Sequence, residues 1–145
     1  MKRFQFPLDR VRRWRAGQAA LEEGKLEQIR EQLTRLRQEK RKVETDRTES
    51  AREVLGRPTI QATDLESLDA FRLHTRDKIR DIENRERQTE AQAEQQRQRV
   101  VETRRAAELL ERLKRKAWEE WQAASDREQE TLATELYLAK RARRR

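Results

Sequence analysis

The chain has 145 residues, 33% hydrophobic and 44% charged, with 3 Gly, 2 Pro and no Cys. An ordinary domain is roughly half apolar and about a quarter charged, so a thick core is excluded, which leaves disorder or a thin seam between long helices. The 36 basic residues exceed the 28 acidic ones by a net +8 and are interspersed with them, the pattern of a solvated charged surface.

Arg, Glu, Gln, Ala and Leu dominate, which favours helices over disorder. Without Cys there are no disulfides, thiol chemistry or cysteine-based zinc sites, which suits a reducing compartment. No apolar run approaches about 18 residues and the start lacks the apolar core of a signal peptide, so a soluble, intracellular protein is expected. The basic balance suits an acidic partner: nucleic acid, a membrane surface or an acidic protein.

Residues 1–6 are short, basic and aromatic (Phe4, Phe6). Pro7 suits the first turn of a helix, and a first helix is expected over about 7–55. Its apolar stripe opens with Leu8, Val11, Trp14 and Leu21. From Leu26 it becomes regular: Leu26, Ile29, Leu33, Leu36, a lapse at Lys40, then Val43. Spacing of three and four keeps one seam against a partner helix. Between Leu21 and Ile29 the register slips, and Gly17 and Gly24 flank that region. Either the segment is soft and slightly bent or both glycines are neutral surface positions.

The stretch 56–63 breaks the helix. Gly56 suits a left-handed residue after a helix end, and Pro58 cannot continue the helix. Thr63 with Glu66 reads as a capping box that starts a second helix over about 64–142. That helix carries Leu65, Leu68, Phe71, Ile79 and Ile82, then a polar seam of Glu86, Thr89, Ala93 and Gln96. The stripe resumes at Val100 and continues through Ala107, Leu110, Leu113, Ala117, Trp121, Leu132, Leu136 and Ala139. The two arms would be roughly 70 and 115 Å long.

The fold expected is all-α: one domain (1–145) forming a long antiparallel two-helix coiled-coil hairpin with an overhanging C-terminal helix. Heptad alignment pairs positions whose numbers sum to about 119. The residues from near Lys114 to Arg145 then overhang, carrying Trp118, Trp121, Leu132, Leu136, Tyr137, Leu138 and a basic tail. In the middle, Leu26–Leu33 face the polar Glu86–Ala93 stretch; the alternative is that this stripe meets another molecule.

His74 is the sole histidine, so no convincing metal site exists. Glu22/Glu23 and Glu119/Glu120 read as solvated helix charges, the glycines are scattered, and a helical pair offers no catalytic cleft; no enzymatic activity and no cofactor are expected. Trp14, Trp118 and Trp121 either cap the seam or form a contact surface. The terminal Arg run is a frayed tail, a phosphate contact or a match for an acidic protein.

Two stretches carry a resemblance. Phe4-Gln5-Phe6-Pro7-Leu8-Asp9-Arg10-Val11, with Arg15 and Leu21, resembles the opening of the FliJ family of flagellar export proteins. Glu108-Leu109-Leu110-Glu111-Arg112-Leu113-Lys114, followed by Trp118, Trp121, Arg127-Glu128-Gln129-Glu130 and Glu135, is similar to its other end. The chain departs at Ala133-Thr134-Glu135-Leu136, where the family more usually has Asp-Glu followed by Ala.

The resemblance implies a two-helix stalk whose open end enters the hexameric export ATPase (FliI-like) and whose turn faces the export gate protein (FlhA-like), with export chaperones as further partners. Contact residues for the ATPase would then be Phe4, Phe6, Leu8, Val11, Trp14, Leu110, Leu113, Trp118, Trp121, Leu132, Leu136 and Arg141. For the export gate they would be Val43, Leu65, Leu68 and Phe71. The implied location is cytoplasmic, peripheral to the export apparatus at the inner membrane. The YscO-like injectisome proteins share this architecture. Two other functions fit the residues alone: a basic nucleic-acid-binding coiled coil, and a self-associating structural coiled coil.

Overall fold

The computed structural model describes residues 2–144. It is all-α, with α1 spanning Asp9–Leu55 and α2 spanning Ala62–Ala142, and no strand occurs among the described residues. The chain divides into two compact units, each crossed by both helices. Unit 1 comprises Met1–Leu21 and Val101–Arg145, and unit 2 comprises Glu22–Val100.

In unit 2 the helices run antiparallel about a one-layer seam. Leu26 and Val43 of α1, with Leu68, Ile82 and Val100 of α2, are buried. Ile29, Leu33, Leu36, Phe71 and Ile79 are half-buried beside them. Each fully buried aliphatic side chain contributes about 1.5–3 kcal/mol. The α1 seam keeps its three-four spacing through Glu22, Leu26, Ile29, Leu33, Leu36, Lys40 and Val43. The expected slip before Ile29 is absent, because Glu22 rather than Leu21 takes the seam position. Gly24 lies within unbroken helix, and a Cβ there would meet nothing within 4 Å, so it is a neutral surface position.

The polar seam is buried as expected, and mostly satisfied. Thr75 and Thr89 bond back to carbonyls of their own helix, Thr75 Oγ1 to Phe71 O at 2.9 Å and Thr89 Oγ1 to Arg85 O at 2.8 Å. Gln96 donates to the Glu22 carbonyl at 3.0 Å and also to the Glu22 carboxylate. Lys40 is no lapse: its ammonium reaches Glu83 at 3.1 Å. Glu86 Oε1 is buried without a hydrogen-bond partner among the described residues, with the Lys40 ammonium attracting it only through space. Across the seam, Gln96–Glu22 fits the expected alignment, while the longer side chains of Lys40–Glu83 and Arg37–Glu90 reach partners one to two turns beyond it.

The turn differs in detail from expectation. No glycine has positive φ, so Gly56 is not a left-handed cap. Its N–H continues the helical pattern to Arg52 O at 2.9 Å, and a Cβ would lie 2.9 Å from that same oxygen. The need for glycine is steric. The restart comes two residues earlier than Thr63: Asp64 accepts from the Gln61 N–H at 3.1 Å, so Asp64 caps in place of Glu66. Arg57 then ties the two helix ends, meeting Glu53 at 3.4 Å and Asp64 at 3.1 Å.

Unit 1 is also antiparallel, with Ala19 and Leu110 buried between the helices. The first helix begins after Pro7 and Leu8, which form a turn, and Asp9 complements the positive end of the helix. Ahead of it, the non-helical residues 2–6 lie along α2.

Candidate functional site

Unit 1 gathers most of the residues singled out in the sequence, in three groups. The first is an aromatic cluster. Phe4 meets Trp118 edge-on, with ring centroids 5.2 Å apart, and lies 5.9 Å from Trp121. The two tryptophans stack at 5.1 Å, and Trp121 Nε1–H donates to Lys2 O at 3.2 Å. Trp118 and Trp121, expected to overhang without a partner, are therefore contacted by the chain's own start. Phe6 joins Arg3, Phe4, Asp9 and Lys114 around a shallow recess beside the cluster.

The second group is ionic. Arg12 bridges Asp9 at 2.9 Å and Glu111 at 2.9 Å, and Lys114 reaches Asp9 at 3.6 Å. Arg12 and Lys114 take the inward positions that Val11 and Leu113 were expected to fill. The reason is the strict heptad frame: counting from Ala19 and Leu110, the three-four spacing lands on Arg12 and Lys114. Val11, Trp14, Leu21 and Leu113 consequently stay exposed, and Leu8 is exposed in the turn ahead of α1.

The third group is the bare end of α2. After Ser125, every residue from Asp126 to Arg144 is exposed. Leu132, Leu136, Tyr137 and Leu138 project there just before Lys140, Arg141, Arg143 and Arg144. The charge is unevenly divided. Unit 2 balances 18 Lys and Arg against 18 Asp and Glu; unit 1 holds the remaining 18 against 10, so 18 − 10 gives the whole net +8.

The residues expected at the turn separate by burial. Val43 and Leu68 are buried in the seam, as is Leu110 in unit 1, so packing occupies their side chains. Leu65 is exposed and Phe71 half-buried. Leu55, Leu65 and Leu68 line a shallow groove with Glu66, Asp69 and Arg72. Sequence reasoning passed over Leu55 and Ile60, both exposed apolar residues near this turn. Leu109, part of the stretch that carries the resemblance, is exposed because its position two residues after Ala107 puts it outside the seam. His74 is exposed, and no group of three potential metal ligands occurs among the described residues. Among the described residues, no helix is long and apolar enough to cross a membrane.

Hydrogen bonds shift a few groups. The Arg12 guanidinium holds Asp9 below its ordinary value, and the Gln96 amide, then Lys25, does the same for Glu22. The Glu83 carboxylate raises Lys40. Carboxylates with lowered values stabilise the fold above the ordinary carboxylate range, and that contribution is lost as pH falls through their folded values. The raised Lys40 stabilises at all pH below the ordinary lysine range and loses that contribution as pH rises through its folded value. The melting temperature should be flat across neutral pH and fall on both sides, below about pH 4 and above about pH 10. In Glu22→Gln the acid-side fall should be shallower; an unchanged acid limb would contradict this assignment.

Compared with known proteins, the chain matches no family model, no curated protein and no solved structure.

Proposed function

We propose that this chain is a non-enzymatic stalk component of a flagellar-type protein export apparatus, binding a hexameric export ATPase through unit 1 and the export gate protein through its turn. The observation that carries the reading is the bare end of α2, in a chain whose two termini resemble the FliJ family. An exposed helix bearing Leu132, Leu136, Tyr137 and Leu138 ahead of Lys140, Arg141, Arg143 and Arg144 lacks an internal partner. A ring lined with acidic groups would supply both an apolar cover and opposite charge.

On this reading the ATPase contact comprises Leu132, Leu136 and Arg141 with the aromatic cluster of Phe4, Phe6, Trp118 and Trp121. The gate contact uses Leu65 and Phe71, with Val43 and Leu68 supporting them from the seam. The chain works in the cytoplasm, at the face of the export apparatus. It does no chemistry itself: it aligns the ring with the gate.

The test is capture of a FliI-like export ATPase by the full chain and by its Leu132→Ser/Leu136→Ser variant. Apolar hot-spot residues at an interface centre predict a loss of about tenfold or more in affinity. Equal capture by both would refute this placement of the contact, and no capture by either would refute the partner.

A further inference from the structure

Unit 1 has two flanks. Heptad positions on one side of the seam hold Asp9, Glu111 and Trp118, where the ionic group bridges the helices and Phe4 packs edge-on against Trp118. The positions just before Arg12 and Lys114, and those two after Arg12 and Ala107, fall on the opposite side. These are Val11, Leu113, Trp14 and Leu109, which are 43%, 41%, 56% and 59% exposed. The Arg12–Glu111 and Asp9–Lys114 pairs bring Val11 level with Leu113 and Trp14 level with Leu109. The result is a two-rung apolar strip made by both helices, with half-buried Gln18 and Ala106 continuing its floor.

We infer that this strip is a docking groove for an acidic amphipathic helix, which would lie along unit 1 as a third helix. Its dimensions suit that occupant: two rungs with a floor beyond them match anchors at i, i+3, i+4 and i+7 of an incoming helix. Its charge selects the sign. Arg10, Arg105 and Arg112 occupy the neighbouring outer heptad positions, while Lys116 pairs with Glu120 at 4.0 Å, and unit 1 carries the entire net +8. Arg15 lies 5.0 Å over the Trp14 ring, adding a cation at the groove's edge. A second copy of the chain is a poorer occupant, because a twofold contact through this strip would set the same basic rim against itself. The groove is separate from the bare end of α2, so its partner is additional to the one proposed above.

The probe is a dye-labelled synthetic helix with Leu at i, i+3, i+4 and i+7 spacing and Glu at its other charged positions, read by fluorescence anisotropy at about 0.15 M ionic strength. Three full-length proteins are compared: the native chain, Trp14→Ser/Leu109→Ser, and Leu132→Ser/Leu136→Ser. All substituted side chains are exposed, and circular dichroism checks that helicity is retained. The expected result is saturable binding by the native chain and by Leu132→Ser/Leu136→Ser. Trp14→Ser/Leu109→Ser should bind about tenfold or more weaker. A charge-reversed peptide, with Lys replacing Glu, should also bind about tenfold or more weaker to the native chain. Binding that survives Trp14→Ser/Leu109→Ser, or that ignores peptide charge, overturns the inference. So does a native mass of two chains by light scattering that this variant reduces to one, which would make the strip a contact between copies.

Discussion

Ile82→Ala should lower the unfolding free energy by about 3 kcal/mol, near the middle of the range for truncating a buried aliphatic residue. Ile82 is 0% exposed, the one large side chain fully buried among the described residues. Its neighbours along α2 offer little to refill the space: Ile79 and Glu86 are half-buried, and Thr75 and Thr89 already spend their hydroxyls on their own helix. A seam one residue thick has no second layer from which to relax inward. Urea unfolding followed by circular dichroism measures the change, with Leu109→Ala as the control. That residue is exposed, so its truncation should stay within about 0.5 kcal/mol. Similar losses for the two variants would mean that the seam does not dominate stability.

Trp121→Ala should free the chain's first residues from α2. The substitution removes the stacking partner of Trp118, one of the two rings touching Phe4, and the indole N–H that holds Lys2 O. Because Trp121 is half-buried, a loss of about 2 kcal/mol is expected, below the range for a fully buried tryptophan. Trp121→Phe keeps a ring but loses the hydrogen bond and part of the indole's contact area, so a smaller loss of about 1 kcal/mol is expected. Hydrogen exchange at the start of α1 reads the release directly. Protection there should drop in Trp121→Ala and in Phe4→Ala alike. Native-level protection in both variants would mean that this cluster does not anchor the segment.

The helices and the break between them were legible in the sequence because composition, spacing and the Gly56–Pro58 pair point the same way. The polar seam of Glu86, Thr89, Ala93 and Gln96 was legible too, since heptad counting holds whatever residues occupy the positions. The N-terminal stripe was misread for the opposite reason. Leu8, Val11, Trp14 and Leu21 were joined because they are apolar, while the frame runs through Arg12, Ala19 and Glu22. An arginine that spans Asp9 and Glu111 at once can occupy an inward position, and no hydropathy pattern signals that. The docking of Phe4 on Trp118 and Trp121 was equally hidden, as it joins residues more than a hundred positions apart through a non-helical segment. Gly56 was identified as a helix ender for the wrong reason: the obstacle is a carbonyl beneath its Cβ position rather than a left-handed backbone.

The division of charge between the units bears on kinetics. Unit 2 is neutral by count, with its acids and bases interleaved, so its field fades within about a Debye length. Unit 1 presents a net positive field, and an acidic surface diffusing nearby is drawn to it before any contact forms. Encounter is thereby oriented in advance: the partner arrives at unit 1 first, and added salt slows that arrival more than it hastens departure. The apolar residues of the bare α2 end and of the open flank then determine how long the complex lasts.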